Sequence, residues 1–229
     1  MFAVAFVVFF LLTFGLLMLV FYLKFSASDY QEASGNPFLK TILDKGNYGE
    51  YLTFVALEKL KFPHKLLTNI YIEKEDGKTT EVDLVMLSEW GVYVIESKNY
   101  SGWIFGNEKN RNWTQSLPNR RKYRFYNPIR QNQGHIRAIK HALGTKIDDI
   151  FTSYIIFSKR CQLKKITVTS PHVKVLNRQH LARVIKRDIK RSEKILSQKE
   201  VDQFYRILKE GANADDAVKS AHIAALRAR

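Results

Sequence analysis

Apolar residues along this chain follow two regimes. Residues 2–23, FAVAFVVFFLLTFGLLMLVFYL, carry no charge and no polar face. From Lys24 onward, short apolar runs alternate with charged stretches. The first regime predicts one continuous helix. At about 1.5 Å per residue it reaches about 33 Å, enough for a hydrocarbon core of about 30 Å. The rival is a cleaved signal peptide, with Ser26-Ala27-Ser28 as the small-residue site. A signal normally has a basic start and an apolar stretch of only about 7–15 residues. Lys24, Lys40 and Lys45 all follow the run. By the positive-inside bias, residues 1–24 are expected to anchor a single-pass protein in the lipid bilayer, with its soluble part in the cytoplasm.

The second regime predicts alternating helices and strands. Residues 25–45, with Ser26, Ser28, Ser34, Gly35, Asn36 and Pro37, read as a linker. Residues 46–62 read as a buried helix stopped by Pro63. Strands are expected at 66–73 and 79–87, joined by a tight Asp76-Gly77 hairpin. After a turn at 88–91, a third strand runs VYVIESK over 92–98, rich in Val, Tyr and Ile. Residues 99–128, with Gly102, Gly106, Pro118 and Pro128, read as a loop. A helix over 129–143 has Ile129, Ile136, Ile139 and Leu143 as its stripe. Strands at 151–157, 165–169 and 172–176, helices at 178–190 and 198–209, and an Ala-rich tail from 211 complete the reading. This order predicts an α/β layer architecture.

Composition narrows the partners. There are 37 Lys and Arg against 22 Asp and Glu, a net charge of +15. Such a charge calls for a polyanion, either nucleic acid or an anionic membrane face. The single cysteine, Cys161, excludes a disulfide framework and multi-cysteine zinc sites. The dispersed histidines argue against a zinc enzyme. Arg120, Arg121, Lys122 and Arg124 interleave with Tyr123, Phe125 and Tyr126, a mixture suited to phosphate contact and base stacking. Between Lys159 and Lys194 lie twelve Lys and Arg but only two acids, Asp188 and Glu193.

Two expected strands carry acids where a plain core would carry Val or Ile. Pairing Leu87 with Val92 across the turn sets Asp83 opposite Glu96. Cross-strand Cβ atoms lie about 4.5–5.5 Å apart. Two carboxylates that close in an apolar setting cannot both stay ionised without a cation. Mg²⁺ fits, since it takes one or two carboxylates plus water and phosphate oxygens, and Mn²⁺ is a candidate substitute. Lys98 shares the strand face of Glu96. It can hold a water or neutralise charge on an attacked phosphate. The alternative is a structural ion pair, a poor source of stability when buried.

Asp83 followed by Glu96-Ser97-Lys98 resembles the D…(D/E)-x-K signature of restriction-endonuclease-like nucleases. More narrowly, the chain is similar to the nuclease-related-domain (NERD) family. The resemblance rests on Gly46-Asn47-Tyr48-Gly49-Glu50, Val82-Asp83, the run from Gly91 to Gly102, Trp113-Thr114-Gln115 and Tyr126-Asn127-Pro128-Ile129-Arg130-Gln131. It covers roughly 45 to 150, about half of the soluble part. It implies a restriction-endonuclease-like core, a mixed β-sheet flanked by helices, over 46–150. Basic strands and helices at 151–210 would complete the domain. It casts Asp83, Glu96 and the Ser97 carbonyl as Mg²⁺ ligands, Lys98 as the catalytic lysine, Glu50 as an auxiliary acid and Gln131 as the polar residue of the later helix. Val82 stands where the broader signature has proline. Arg120, Arg121, Lys122, Arg124 and Arg130 would contact nucleic acid, DNA ahead of RNA. Trp103 and Trp113 are expected to pack on the sheet, and His135 to sit on a helix surface. The expected function is a membrane-anchored, metal-dependent nuclease. A non-catalytic nucleic-acid-binding module and a membrane-surface structural protein remain open beside it.

Overall fold

The computed structural model describes residues 2–212; the Ala-rich tail expected from 211 falls, from 213 on, outside the described residues. The chain is mixed α/β, with two mixed sheets flanked by helices. The main sheet has the order β1-β2-β3-β7-β9. Its strands are β1 (Lys65–Glu73), β2 (Thr79–Ser88), β3 (Gly91–Lys98), β7 (Phe151–Phe157) and β9 (Val173–Asn177). β1, β2 and β3 are antiparallel neighbours, whereas β3, β7 and β9 run parallel. Burial on both faces explains why β3 reads as a continuous apolar run.

One face of this sheet carries Val85, Leu87, Val92 and Val94 against helices α5 (Pro128–Leu143) and α7 (Gln198–Ala212). The opposite face carries Leu84, Met86, Tyr93 and Ile95 against α4 (Lys45–Glu58) and α6 (Leu181–Ile189). Asp44 caps α4, its carboxylate accepting from Asn47 N at 2.8 Å. This helix ends at Glu58, ahead of Pro63, because Leu60 turns inward and is buried in the same core. Asn127 caps α5 by accepting from Ile129 N at 2.9 Å, with Pro128 in the first turn.

Residues 99–128, expected as a loop, instead form three strands, β4 (Gly102–Asn107), β5 (Asn112–Ser116) and β6 (Lys122–Tyr126). With β8 (Cys161–Thr167) they make a second sheet of order β6-β5-β4-β8. The strands are short and glycine-punctuated, so local pattern hides them. Their stability comes from a separate core, where Trp113 stacks on Phe157 of the main sheet at 6.1 Å and 8°. Gly106 makes room for that indole, since a Cβ there would sit 2.1 Å from it.

The N-terminal helix α1 (Phe2–Ser26) is exposed over most of its length, whereas Phe25 near its end is buried. Its Val4–Ser26 portion, mean hydropathy 2.9, is long and apolar enough to cross a membrane. Phe25 is only 1% exposed. Its ring lies 5.3 Å from Tyr51, 5.5 Å from Phe38 and 6.2 Å from Tyr30. The stretch read as a linker therefore folds as two short helices, α2 (Tyr30–Ser34) and α3 (Phe38–Leu43), clamped to α4 by aromatic packing.

Candidate active site

Strands β2 and β3 are paired from Ser88 and Gly91 up to Leu84 and Ile95, in the register expected from sequence. The ladder stops there, and the next residues are Asp83 and Glu96. At this opening Asp83 Oδ2 accepts the Ser97 N–H at 2.9 Å, which orients its carboxylate. Glu96 is 1% exposed, and its Oε1 lies 2.5 Å from Lys98 Nζ. That contact is a tight charge contact, because neither Glu96 oxygen makes a well-directed hydrogen bond. Lys98 Nζ also donates to Gln131 Oε1 at 3.2 Å. On the α4 side, Thr53 Oγ1 donates to Gly49 O at 2.8 Å and meets Ser97 Oγ at 3.2 Å.

The structure thus brings together Asp83 with Ser97, and Glu96 with Lys98 and Gln131, at one end of the hairpin. Glu50, half-buried on α4, comes within electrostatic range of both Asp83 and Glu96. Burial pushes the Asp83 carboxyl up to about 7, with Glu96 adding to the rise and Lys98, His135 and the Ser97 N–H opposing it. Burial likewise raises Glu96, against the pull of Lys98. Glu50 is raised well above the usual carboxylate range by burial, then by Asp83, Glu81 and Glu96. For Lys98, burial alone would lower the ammonium, but Glu96 and Asp83 outweigh it and hold it protonated. One cation therefore faces several crowded acids.

That excess of acid suits a hard divalent cation. Among the described residues no three His, Cys, Asp or Glu side chains stand ready as a complete cage. Mg²⁺ does not need one, because it keeps several waters and uses one or two carboxylates. The buried Glu96 carboxylate without directed hydrogen bonds and the oriented Asp83 fit such an ion.

The same crowding sets a pH dependence. The folded Asp83 value of about 7 lies above its usual 3.8, so the native state keeps a proton that the unfolded chain has lost. Stability of the metal-free protein is expected to fall as pH rises from about 4 to about 7. Asp83→Asn should flatten that slope, as read from urea midpoints of the detergent-solubilised chain in EDTA. An unchanged slope would remove Asp83 as its source.

Two expectations are corrected. His135, read as a surface residue, is 4% exposed, with Nδ1 3.9 Å from Glu96 Oε2. It stands one helical turn beyond Gln131, and that i, i+4 spacing is the signal that points it at the same site. Trp113 packs as expected, but Trp103 is 45% exposed with Lys164 5.7 Å over its ring. Two residues escaped the sequence reading. Glu81 lies two positions before Asp83 on β2 and adds to the acid crowding. Asn132 is buried and donates at 2.8 Å to both Val94 O and Ser153 Oγ, pinning α5 to β3 and β7.

The basic stretch lies on the second sheet. Arg120 occupies the β5–β6 turn at φ 64°, and Arg121, Lys122 and Arg124 are exposed on or next to outer strand β6. Arg130 Nη2 donates to Lys109 O at 2.6 Å and braces the β4–β5 turn.

A family model described as nuclease-related domain matches residues 45–158. An uncharacterized protein of Bacillus anthracis is 34% identical over 180 residues, covering 78% of this chain and 82% of that protein. No solved structure matches.

Proposed function

Because this chain belongs to the nuclease-related-domain (NERD) family, we propose that it is a membrane-anchored, metal-dependent nuclease hydrolysing nucleic-acid phosphodiesters, DNA in preference to RNA. The observation that carries this reading is the convergence of Asp83, Glu96 and Lys98 where the β2–β3 ladder opens. A protein that only binds nucleic acid gains nothing from crowded, partly buried acids. Fold kinship alone would not carry an activity.

Asp83, Glu96 and the Ser97 carbonyl would hold Mg²⁺. When bound, that ion supplies Lewis acidity and makes a coordinated water more acidic. Lys98 is held by Glu96 Oε1 and Gln131 Oε1. It stays an ammonium, so it acts by presenting positive charge to a phosphoryl oxygen and not as a base. Burial first, and then Asp83, Glu81 and Glu96, raise the Glu50 carboxyl well above the usual carboxylate range, and a cation held beside it would favour its ionised form.

Composition supports the anchor, and so does the fold. Cleavage near Ser26–Ser28 would strip Phe25 from the core that holds α2, α3 and α4. The +15 charge suits both nucleic acid and an anionic leaflet.

The test uses the detergent-solubilised full chain on single- and double-stranded DNA and RNA with Mg²⁺, Mn²⁺ or EDTA. Cleavage of DNA with either ion and none in EDTA is the expected result. Binding without cleavage under every condition would leave the non-catalytic module. In cells, the intact chain should resist carbonate extraction from membranes. A mature form beginning near Asp29 in the medium would overturn the anchor.

A further inference from the structure

The C-terminal ends of the parallel strands β3, β7 and β9 lie level, with Lys98 beside Phe157 and Phe157 beside Asn177. In open α/β sheets this edge is where ligands bind. Two arginines stand at it, just past the strand ends. Arg160 Nη2 donates to Asn99 O at 3.1 Å and Asn99 Oδ1 at 3.0 Å, and its Nε to Ser158 Oγ at 3.3 Å. Arg178, half-buried, donates from Nη1 to Gly49 O at 3.3 Å. Asn177 Nδ2 ties the two segments together through Ser158 O at 2.9 Å and Cys161 O at 3.0 Å.

Both anchoring carbonyls flank the acid site. Asn99 follows Lys98, and Gly49 precedes Glu50. The strand end and α4 touch closely, since a Cβ on Gly49 would meet Asn99 Cβ at 2.7 Å. Asn99 Nδ2 also donates to Lys45 O at 2.6 Å. The guanidiniums are therefore fixed in place by neutral carbonyls and amides. Among the described residues neither forms an ion pair with a carboxylate. Burial makes the Arg178 cation less comfortable than in water; Tyr48 opposes this and the neighbouring Arg160 charge adds to it.

Two like charges held together without an acid create a site for an anion. A guanidinium has five N–H donors in a fork that matches phosphate. The bonds named leave Nη1 of Arg160 and most of the Arg178 donors for such a ligand.

We propose that Arg160 and Arg178 form a phosphate subsite that holds the backbone phosphate of nucleic acid next to the one cleaved at Asp83, Glu96 and Lys98. The proposal rests on the nuclease reading of that site. Its ligand is a phosphodiester, and its role is to set the strand's register against the carboxylates.

The experiment is equilibrium binding of a fluorescein-labelled DNA oligonucleotide to the detergent-solubilised full chain in EDTA, at several salt concentrations. Arg160→Gln with Arg178→Gln is compared with Lys59→Gln and Lys61→Gln, a charge-matched pair near the far end of α4. The arginine pair should lose at least about tenfold in affinity. Its plot of log affinity against log salt should be shallower by about one unit, the share of one neutralised phosphate. The lysine pair should lose less than about threefold. Arg160 is exposed, so Arg160→Gln alone should fold and show part of the same loss. In Mg²⁺ the double variant should raise KM while kcat largely survives. If wild type binds DNA and the arginine variants match it in affinity and salt slope, the subsite is wrong and the nuclease reading stands. A fall in melting temperature with an unchanged slope assigns the arginines to a structural clamp and also overturns it. If wild type binds no nucleic acid, both readings fall.

Discussion

Lys98→Ala is expected to slow single-turnover cleavage by about 10²–10³-fold, the usual effect of removing one preorganised charge from a phosphoryl or acyl site. The ammonium is held 2.5 Å from Glu96 Oε1 on β3 and 3.2 Å from Gln131 Oε1 on α5. It touches few phosphates, so DNA affinity in EDTA should change by less than about threefold, and the salt slope by at most about one unit. Removing Lys98 also leaves the buried Glu96 carboxylate without its cation, a change of the kind that costs about 3–5 kcal/mol. Because burial has already raised the Glu96 carboxyl, it can take up a proton and soften that cost. Lys98→Arg keeps the charge and serves as the folding control. The measurement pairs rapid-quench cleavage at saturating substrate with a melting curve. Wild-type cleavage by a folded Lys98→Ala protein would make Lys98 a structural partner only.

Millimolar Mg²⁺ or Mn²⁺ is expected to raise the melting temperature of the full chain at pH 8, and Asp83→Asn to abolish the rise. A ligand bound only by the native state contributes about 2.7 kcal/mol at a concentration 100 times its Kd. The metal-free variant should move in the opposite direction. At pH 8 the wild type crowds Asp83 against Glu96, and neutralising Asp83 removes that repulsion. Asp83→Asn should thus be at least as stable as wild type in EDTA and less stable in Mg²⁺. Crossing of the two melting series is the signature. If neither ion shifts the wild type, the two acids do not share a metal.

The apolar N-terminal helix and the site geometry are linked in this fold. Phe25 ends α1 inside the core that packs α4, and α4 carries Glu50 and the Gly49 carbonyl. Only a few buried aromatic contacts therefore separate the apolar helix from the acid site.

The elements with strong local signals were legible in the sequence. A charge-free run, a 3.6-residue stripe over α5 and the Asp76-Gly77 turn each depend on near neighbours, so their periodicity survives without the fold. The hairpin of β2 and β3 belongs with them. A short turn leaves little choice of register, and that register brings Asp83 and Glu96 to the same end of the hairpin, just past the last paired residues Leu84 and Ile95. What depends on distant chain was not legible. Strands β4, β5 and β6 are held by Trp113 stacking on Phe157, which is 44 residues away, and their glycines and charges read as loop without it. The linker became two helices because Phe25 and Tyr30 found Tyr51 and Phe54 on α4. His135 turned inward because α5 lays that face on β3 next to Glu96. Arg160 and Arg178 look like any other members of a basic segment until parallel pairing of β3, β7 and β9 brings their strand ends level. Chemistry within one strand or turn is set by residue identity and alternation. Which charges stand together across the sheet is set by packing, and only the tertiary structure decides it.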